Sequence, residues 1–213
     1  MKKTFIAAVF VSLACAAPLF SAESAQTPDA QSQALMLLEQ GDGMLESGQY
    51  EEAKKTFREA IALNPNSVEA YDHLGKVLMQ QLRYDEAARE FSKAIDLSSS
   101  DYMARFNRGV ALYHLKKVDE AVQDFSEVIR LYPKNQIAYN IRGIAYFEQG
   151  KIDEAIQDYT KAIQLNPAYS KAYNNRGIAY LKQGKTAEAQ RDFARSGEPV
   201  TLPTQTRVNK CVF

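Results

Sequence analysis

Residues 139–146 read YNIRGIAY and residues 173–180 read YNNRGIAY, so the two stretches differ at one letter and lie 34 residues apart. The glycine of this pattern recurs at the same interval along most of the chain. The five copies are Gly41, Gly75, Gly109, Gly143 and Gly177. A constant period of this length indicates repeated structural units that stack on one another.

A second set of columns follows each glycine. An alanine is followed four residues later by an aromatic residue, and three residues after that comes a further residue, which is small in most copies. The alanines are Ala53, Ala87, Ala121, Ala155 and Ala189, the rings Phe57, Phe91, Phe125, Tyr159 and Phe193, and the last column Ala60, Ala94, Val128, Ala162 and Ser196. Steps of four and three place side chains on one face of an α-helix. Because small residues let a neighbouring helix approach closely, the columns predict a tightly packed second helix in each unit.

Further signals mark the ends of the helices. Acidic pairs open the second helices, where the helix dipole favours negative charge: Glu51-Glu52, Asp85-Glu86, Asp119-Glu120 and Asp153-Glu154. Gly48, Gly150 and Gly184 supply turns between the two helices of a unit. Pro65, Pro133 and Pro167 stop the second helix. Each unit is therefore predicted to be helix–turn–helix.

These columns resemble the tetratricopeptide repeat, whose 34-residue pattern of Gly, Ala, Phe, Ala and Pro they match. The resemblance implies an all-α, right-handed superhelical solenoid of five repeats, at 34–67, 68–101, 102–135, 136–169 and 170–203. Repeats two and five depart from the pattern because Ser99 and Thr201 replace the closing proline. Residues 23–33 are predicted to be a polar tether or the start of the first helix, and residues 204–213 a flexible tail.

One column is particular to this chain. The seventh repeat position, usually apolar in the family, carries Arg in three repeats, and an Asp stands sixteen residues after each: Arg108 and Asp124, Arg142 and Asp158, Arg176 and Asp192. We interpret these as structural ion pairs, either within a repeat or between adjacent repeats. A functional anion-binding ladder is the alternative.

The resemblance also implies a concave groove lined by the first helices, which holds a partner's extended peptide or helix. The corresponding positions are Met103, Phe106, Asn107, Val110 and Tyr113 in repeat three, Ile137, Asn140, Ile144 and Phe147 in repeat four, and Lys171, Asn174, Asn175 and Ile178 in repeat five. Asparagine can hydrogen-bond a peptide backbone, and the apolar neighbours can receive side chains. Packing between repeats is the competing interpretation for each of these residues.

Nothing in the sequence indicates an enzyme or a cofactor. His73 and His114 have no partner in a catalytic or zinc-binding motif, and no phosphate-binding loop or nucleophile elbow is present. Lys+Arg and Asp+Glu both total 26, which gives no basic excess to attract nucleic acid. We therefore expect a protein partner, with self-association through the end of repeat five as an open alternative.

The first 22 residues have the order of a secretory signal peptide. A Lys2-Lys3 start precedes an apolar stretch at 5–17, and the chain turns polar from Glu23. Export to a bacterial periplasm or envelope is expected, with secretion as the alternative. Cys15 opens a second route, lipidation and membrane attachment, although Ser12 departs from the lipoprotein pattern. Cys211 has no assigned role.

Two interpretations follow. The first is a non-enzymatic scaffold or adaptor that docks a partner in the groove. The second is a lipid-anchored assembly factor of an envelope, pilus or secretion machine.

Overall fold

The structure, a computed structural model, describes residues 29–197 and contains ten α-helices in this part of the chain. They are α1 (Ala30–Glu46), α2 (Tyr50–Leu63), α3 (Val68–Gln80), α4 (Tyr84–Leu97), α5 (Tyr102–His114), α6 (Val118–Leu131), α7 (Gln136–Glu148), α8 (Ile152–Leu165), α9 (Ser170–Lys182) and α10 (Thr186–Ser196).

The helices pack in chain order. Each odd-numbered helix pairs with the even-numbered helix that follows it, and each pair stacks on the next. Contacts also link α1 with α3, α3 with α5 and α7 with α9, so the odd-numbered helices form one layer. The five pairs correspond to the five predicted repeats, and the fold class, an all-α solenoid of helix–turn–helix repeats, is confirmed.

The core consists of the repeated columns on the second helices. The five alanines that begin these columns are fully buried, and so are the rings of Phe57, Phe91, Phe125 and Tyr159. Phe193, the last ring, is 3% exposed. Successive repeats therefore share one continuous core, as expected for units that cannot bury their apolar faces alone.

The glycine column permits the close contact between the two helices of a repeat. A Cβ atom added to Gly75 would lie 2.5 Å from Cε1 of Phe91, and one added to Gly109 would lie 2.7 Å from Cε1 of Phe125. Such distances are far below a van der Waals contact. The glycine thus leaves only backbone atoms of the first helix in contact with the aromatic ring that stands sixteen residues later in the sequence.

In each turn within a repeat, one residue has a backbone conformation in the left-handed region. Gly48, Gly150 and Gly184 have φ of 75°, 74° and 76°, a region that glycine enters without steric cost. Repeats two and three place Leu82 (φ 59°) and Lys116 (φ 62°) at this position. The same turn is therefore built in all five repeats, with strain in two of them.

The first helix begins inside the segment predicted as a tether or helix start. Asp29 is the N-cap, and its carboxylate accepts a hydrogen bond of 2.7 Å from the Ser32 amide. Pro28 therefore precedes the cap. At the other end α10 has 11 residues, whereas the other second helices have 14, and it ends at Gly197 in a left-handed conformation.

Several expectations lie outside the described residues: the signal peptide at 1–22, Cys15, the end of repeat five at 198–203, the tail at 204–213 and Cys211. None of the helices from α1 to α10 is long and apolar enough to cross a membrane.

Candidate partner-binding groove

Side-chain contacts between odd-numbered helices form the floor of the concave face. His73 Nδ1 lies 2.6 Å from Asp42 Oδ1. One repeat further on, Asn107 donates a hydrogen bond of 3.1 Å to Asp72. The Tyr113 hydroxyl donates one of 3.1 Å to Glu148. These contacts join first helices directly, so the side chains beside them define the surface open to a ligand.

Repeats three and four contribute adjacent, accessible apolar side chains to this face. Met103 and Ile137 are 42% and 43% exposed, and they occupy the second position of successive repeats. Phe106, Val110 and Phe147 are half-buried beside them. Together these five residues are called the apolar groove below. They form a surface to which apolar side chains of a partner can be added.

Polar groups of the predicted set also reach solvent. Lys171 is exposed, and Asn107 and Asn174 are half-buried. The hydrogen bond from Asn107 to Asp72 joins repeats two and three and orients the Asn107 side chain. Asn174 is in the last repeat, on the side where no further described helix packs.

Five predicted groove residues are interior residues instead. Asn140 and Asn175 are fully buried, Ile144 is 1% exposed and Ile178 is 2% exposed. Tyr113 is 8% exposed and is tied to Glu148. Neighbouring repeats cover these side chains, so the sequence-based expectation that they contact a partner is corrected.

The buried asparagines join repeats four and five. The amide of Asn175 donates a hydrogen bond of 3.0 Å to Oδ1 of Asn140, and both residues are fully buried. This pair is equivalent to Asp72 and Asn107, each formed across 35 residues. The Nδ2 group of Asn140 has no hydrogen-bond partner among the described residues. Asparagine in these positions holds repeats together.

The arginines of repeats three, four and five each form a bidentate ion pair with an aspartate of the same repeat. In repeat four Arg142 Nε donates to Oδ2 of Asp158 and Nη2 donates to Oδ1, both at 2.8 Å. The same geometry joins Arg108 to Asp124 and Arg176 to Asp192. Burial raises the pKa of the Asp158 carboxyl above its ordinary value, and the bonds from Arg142 offset this only in part. Of the two arrangements left open by the sequence, the structure has the one within a repeat.

Each arginine also reaches back to the preceding repeat. Its remaining nitrogen, Nη1, donates to a hydroxyl sixteen residues earlier: Ser92 for Arg108, Ser126 for Arg142 and Thr160 for Arg176, at 3.0–3.1 Å. Sequence reasoning missed this third column. The signal was available, since a hydroxyl residue stands at this position only in the repeats that precede an arginine.

Tyrosines flank two of the three arginines. The guanidinium of Arg142 lies 5.8 Å and 5.6 Å from the ring centres of Tyr139 and Tyr146. Arg176 lies between Tyr173 and Tyr180 in the same way. Because each of the three guanidinium nitrogens donates a hydrogen bond within the solenoid and tyrosine rings lie beside the group, the contacts favour the structural interpretation over the anion-binding ladder.

The histidines lie apart from one another. His73 contacts Asp42 and packs edge-on against Phe57, whereas His114 stacks on Tyr84 with ring centres 4.5 Å apart. Within residues 29–197, no group of three or more His, Cys, Asp or Glu side chains is placed to hold a metal ion.

Stacked helix pairs with an open concave face define a helical-repeat protein. Comparison with protein-family models identifies the family of helical repeat to which the chain belongs. A model described as TPR repeat matches residues 41–81 and 143–184, and two described as tetratricopeptide repeat match 73–136 and 125–157. These stretches overlap and cover residues 41–184 without a gap. The chain belongs to the tetratricopeptide repeat family.

Solved structures show the same fold. A crystal structure of MamA is 27% identical, with a TM-score of 0.70 over 73% of this chain and 91% of MamA. PilF of Pseudomonas aeruginosa is 22% identical, with a TM-score of 0.72 over 83% of this chain and 80% of its own. YrrB, titled a TPR protein with an unusual peptide-binding site, is 20% identical, with a TM-score of 0.66 over 76% and 84%. A search of curated protein sequences found no significant match.

Proposed function

We propose that this protein is a non-enzymatic scaffold or adaptor that binds a peptide or helix of a partner protein in the apolar groove. The observation that carries the proposal is the exposure of Met103 and Ile137 on adjacent repeats of the concave face. Large apolar side chains left open next to one another on a folded surface are typical of an interaction site. Half-buried Phe106, Val110 and Phe147 provide the walls against which a partner side chain would be desolvated.

Polar groups beside the groove fit a peptide backbone. Asn107 and Asn174 keep partial access to solvent, and an amide side chain can both donate to a backbone carbonyl and accept from a backbone N–H. Two such groups two repeats apart would orient an extended segment without selecting its sequence. Apolar contacts would then supply most of the affinity.

The family supports this class of function. Tetratricopeptide repeat domains are in general protein-interaction modules rather than catalysts. YrrB, which shares the fold, is described as having a peptide-binding site.

Site-specific photo-crosslinking tests the proposal. A photoreactive amino acid placed at Met103 or Ile137 in the full chain should crosslink one partner segment from an extract of the source cells. The same amino acid at Leu82, which is 69% exposed in a turn away from the groove, is the matched control. Crosslinks from Leu82 to the same segment, or none from Met103 and Ile137, would contradict the proposal.

We further propose that the protein is exported and that residues 1–22 are removed. The cationic start and the short apolar stretch support this. The second candidate, a lipid-anchored assembly factor of an envelope, pilus or secretion machine, is favoured by one observation, the small residue Ala14 directly before Cys15. The intact mass of the exported protein separates the two, because cleavage near Ala22 excludes a lipid on Cys15.

A further inference from the structure

The concave face is divided by charge. In repeats one and two it carries Glu39, Glu46 and Glu69, all exposed and without a basic partner in the described residues. The two other carboxylates of this region are engaged, Asp42 with His73 and Asp72 with Lys76. The end of the groove that begins at α1 is therefore negative, and one exposed apolar side chain, Leu35, lies among these carboxylates.

The other end differs. At the corresponding positions in repeats three to five the exposed or half-buried side chains are those of the apolar groove together with Asn107, His114, Glu148, Asn174, Leu181 and the two lysines Lys171 and Lys182. The carboxylate of Glu148 accepts from Tyr113 and faces Lys116 at 3.8 Å. A ligand that follows the groove thus passes from a negative surface to an apolar one.

Two clefts lie along the same edge of this face. The first, of about 170 Å³, is bordered by Ala34, Leu35 and Leu38 on α1, by the α2–α3 turn and by Glu69. The rest of its lining is polar, Gln31, Asn64, Ser67 and Glu69, so apolar side chains and a carboxylate border the same cleft. This combination suits lysine or arginine, whose alkyl stem packs on apolar surface while the charged end reaches an acid.

The second cleft, of about 420 Å³, occupies the equivalent place two repeats further on. It is lined by Tyr102, Leu131, Tyr132, Pro133, Lys134 and Asn135, and the centres of the two tyrosine rings lie 4.0 Å apart. At the position equivalent to Glu69 stands Ile137, 68 residues later in the sequence. The same architecture therefore places an acid in the first cleft, whereas the second is lined by aromatic and apolar side chains with Lys134 and Asn135 and has no acid.

The spacing of the clefts sets the spacing of the ligand's anchors. Neighbouring helices pack about 8–10 Å apart, so two repeats separate the clefts by roughly 20 Å. An extended chain advances about 3.3 Å per residue and covers this distance in about six residues.

We propose, on the basis of the proposed function, that the groove takes an extended, basic and amphipathic segment. A lysine or arginine of this segment occupies the cleft beside Glu69, and an aromatic or large apolar side chain about six residues away packs on Tyr102 and Tyr132. The charge difference along the groove fixes which end of the segment lies over repeat one.

A phage-displayed library of random peptides about 16 residues long, long enough to span both clefts when extended, is the probe. Selection against the full chain should enrich peptides with a basic residue and, about six positions away, an aromatic or large apolar one. A selected peptide should bind at least about tenfold more weakly to Glu69→Lys and to Tyr132→Ser, and more weakly at high salt. Glu69→Gln, a milder change at an exposed site, should give a smaller loss of the same sign.

Glu59→Lys is the matched control, since Glu59 is exposed on α2 and its only described ion pair is a loose one with Lys55 at 3.8 Å. Its affinity for the peptide should equal that of the unchanged chain. Peptides that depend on Met103 but lack the basic anchor, or that bind Glu69→Lys normally, overturn this inference and leave the proposed function standing. A library that returns no peptide sensitive to Met103→Asp overturns both.

Discussion

The contact between glycine and aromatic ring decides how closely the two helices of a repeat can pack. Alanine is ordinarily the better helix former by about 1 kcal/mol. At Gly75 this advantage is unavailable because a Cβ would lie 2.5 Å from the buried ring of Phe91. Phe91 is fully buried, so movement of its ring would displace neighbouring core side chains.

Gly75→Ala is therefore expected to lower the free energy of unfolding by about 1–3 kcal/mol through overpacking. Gly43→Ala is the matched control, because Gly43 lies inside α1 and a Cβ there meets nothing within 4 Å. That change should raise stability by up to about 1 kcal/mol. Urea unfolding measures both, and shifts of the same sign would contradict the assigned packing.

The arginine–aspartate pairs replace an apolar contact with a charged one. Asp158 is buried and accepts hydrogen bonds from Nε and Nη2 of Arg142. Removal of either partner therefore leaves the charge of the other without an opposite charge beside it. Arg142→Leu alone is expected to cost about 3 kcal/mol, whereas the double variant with Asp158→Leu should be close to the unchanged protein. Additive losses in this double-mutant cycle would exclude the pairing as a coupled unit.

The loss caused by Arg142→Leu should also depend on pH. Burial already raises the pKa of Asp158, and the variant lacks the arginine that opposes this rise. A carboxyl whose folded pKa exceeds its unfolded value contributes stability at low pH and loses it as pH rises through that range. We therefore expect a smaller loss near pH 4 than near pH 7, measured by thermal unfolding at both values.

At the scale of the element, the turns show where the repeats are strained. Leu82 and Lys116 hold positive φ at the position where the other repeats have glycine. Leu82→Gly and Lys116→Gly should each raise the free energy of unfolding by about 0.5–1 kcal/mol, since the steric cost in the left-handed region is removed. The reverse change, Gly150→Leu, should lower it by a similar amount. A destabilising Leu82→Gly would show that this side chain makes a contact that outweighs the strain.

Much of this architecture could be predicted from the sequence, because each column depends on a contact repeated five times. The helix pairs and the glycine turns follow from spacing, whereas spacing indicated Arg142 and Asp158 as partners but left open whether they pair within a repeat or between repeats. The burial of Asn140, Ile144 and Ile178 could not be predicted in this way. Their positions face the groove in the family pattern, yet in this chain neighbouring side chains cover them, and burial of this kind depends on the sizes of residues in adjacent repeats.

For the whole molecule, the residues that join repeats are not continued at either end of the described solenoid. At the start, Gln40 replaces the arginine and Met36, 61% exposed, replaces a buried alanine. At the end, Ala194 replaces the hydroxyl residue and Ser196 the small apolar one. The residues at the two ends therefore differ from those that join the middle repeats.

The affinity of the crosslinked partner segment for groove and control variants tests this account most directly. Met103→Asp combined with Ile137→Asp places charge on two exposed groove positions, whereas Leu82→Asp places it in a turn where aspartate tolerates positive φ. We predict that the groove variant binds at least about tenfold more weakly with an unchanged melting temperature, and that Leu82→Asp binds normally. Equal affinity of the groove variant and the unchanged chain would contradict the account.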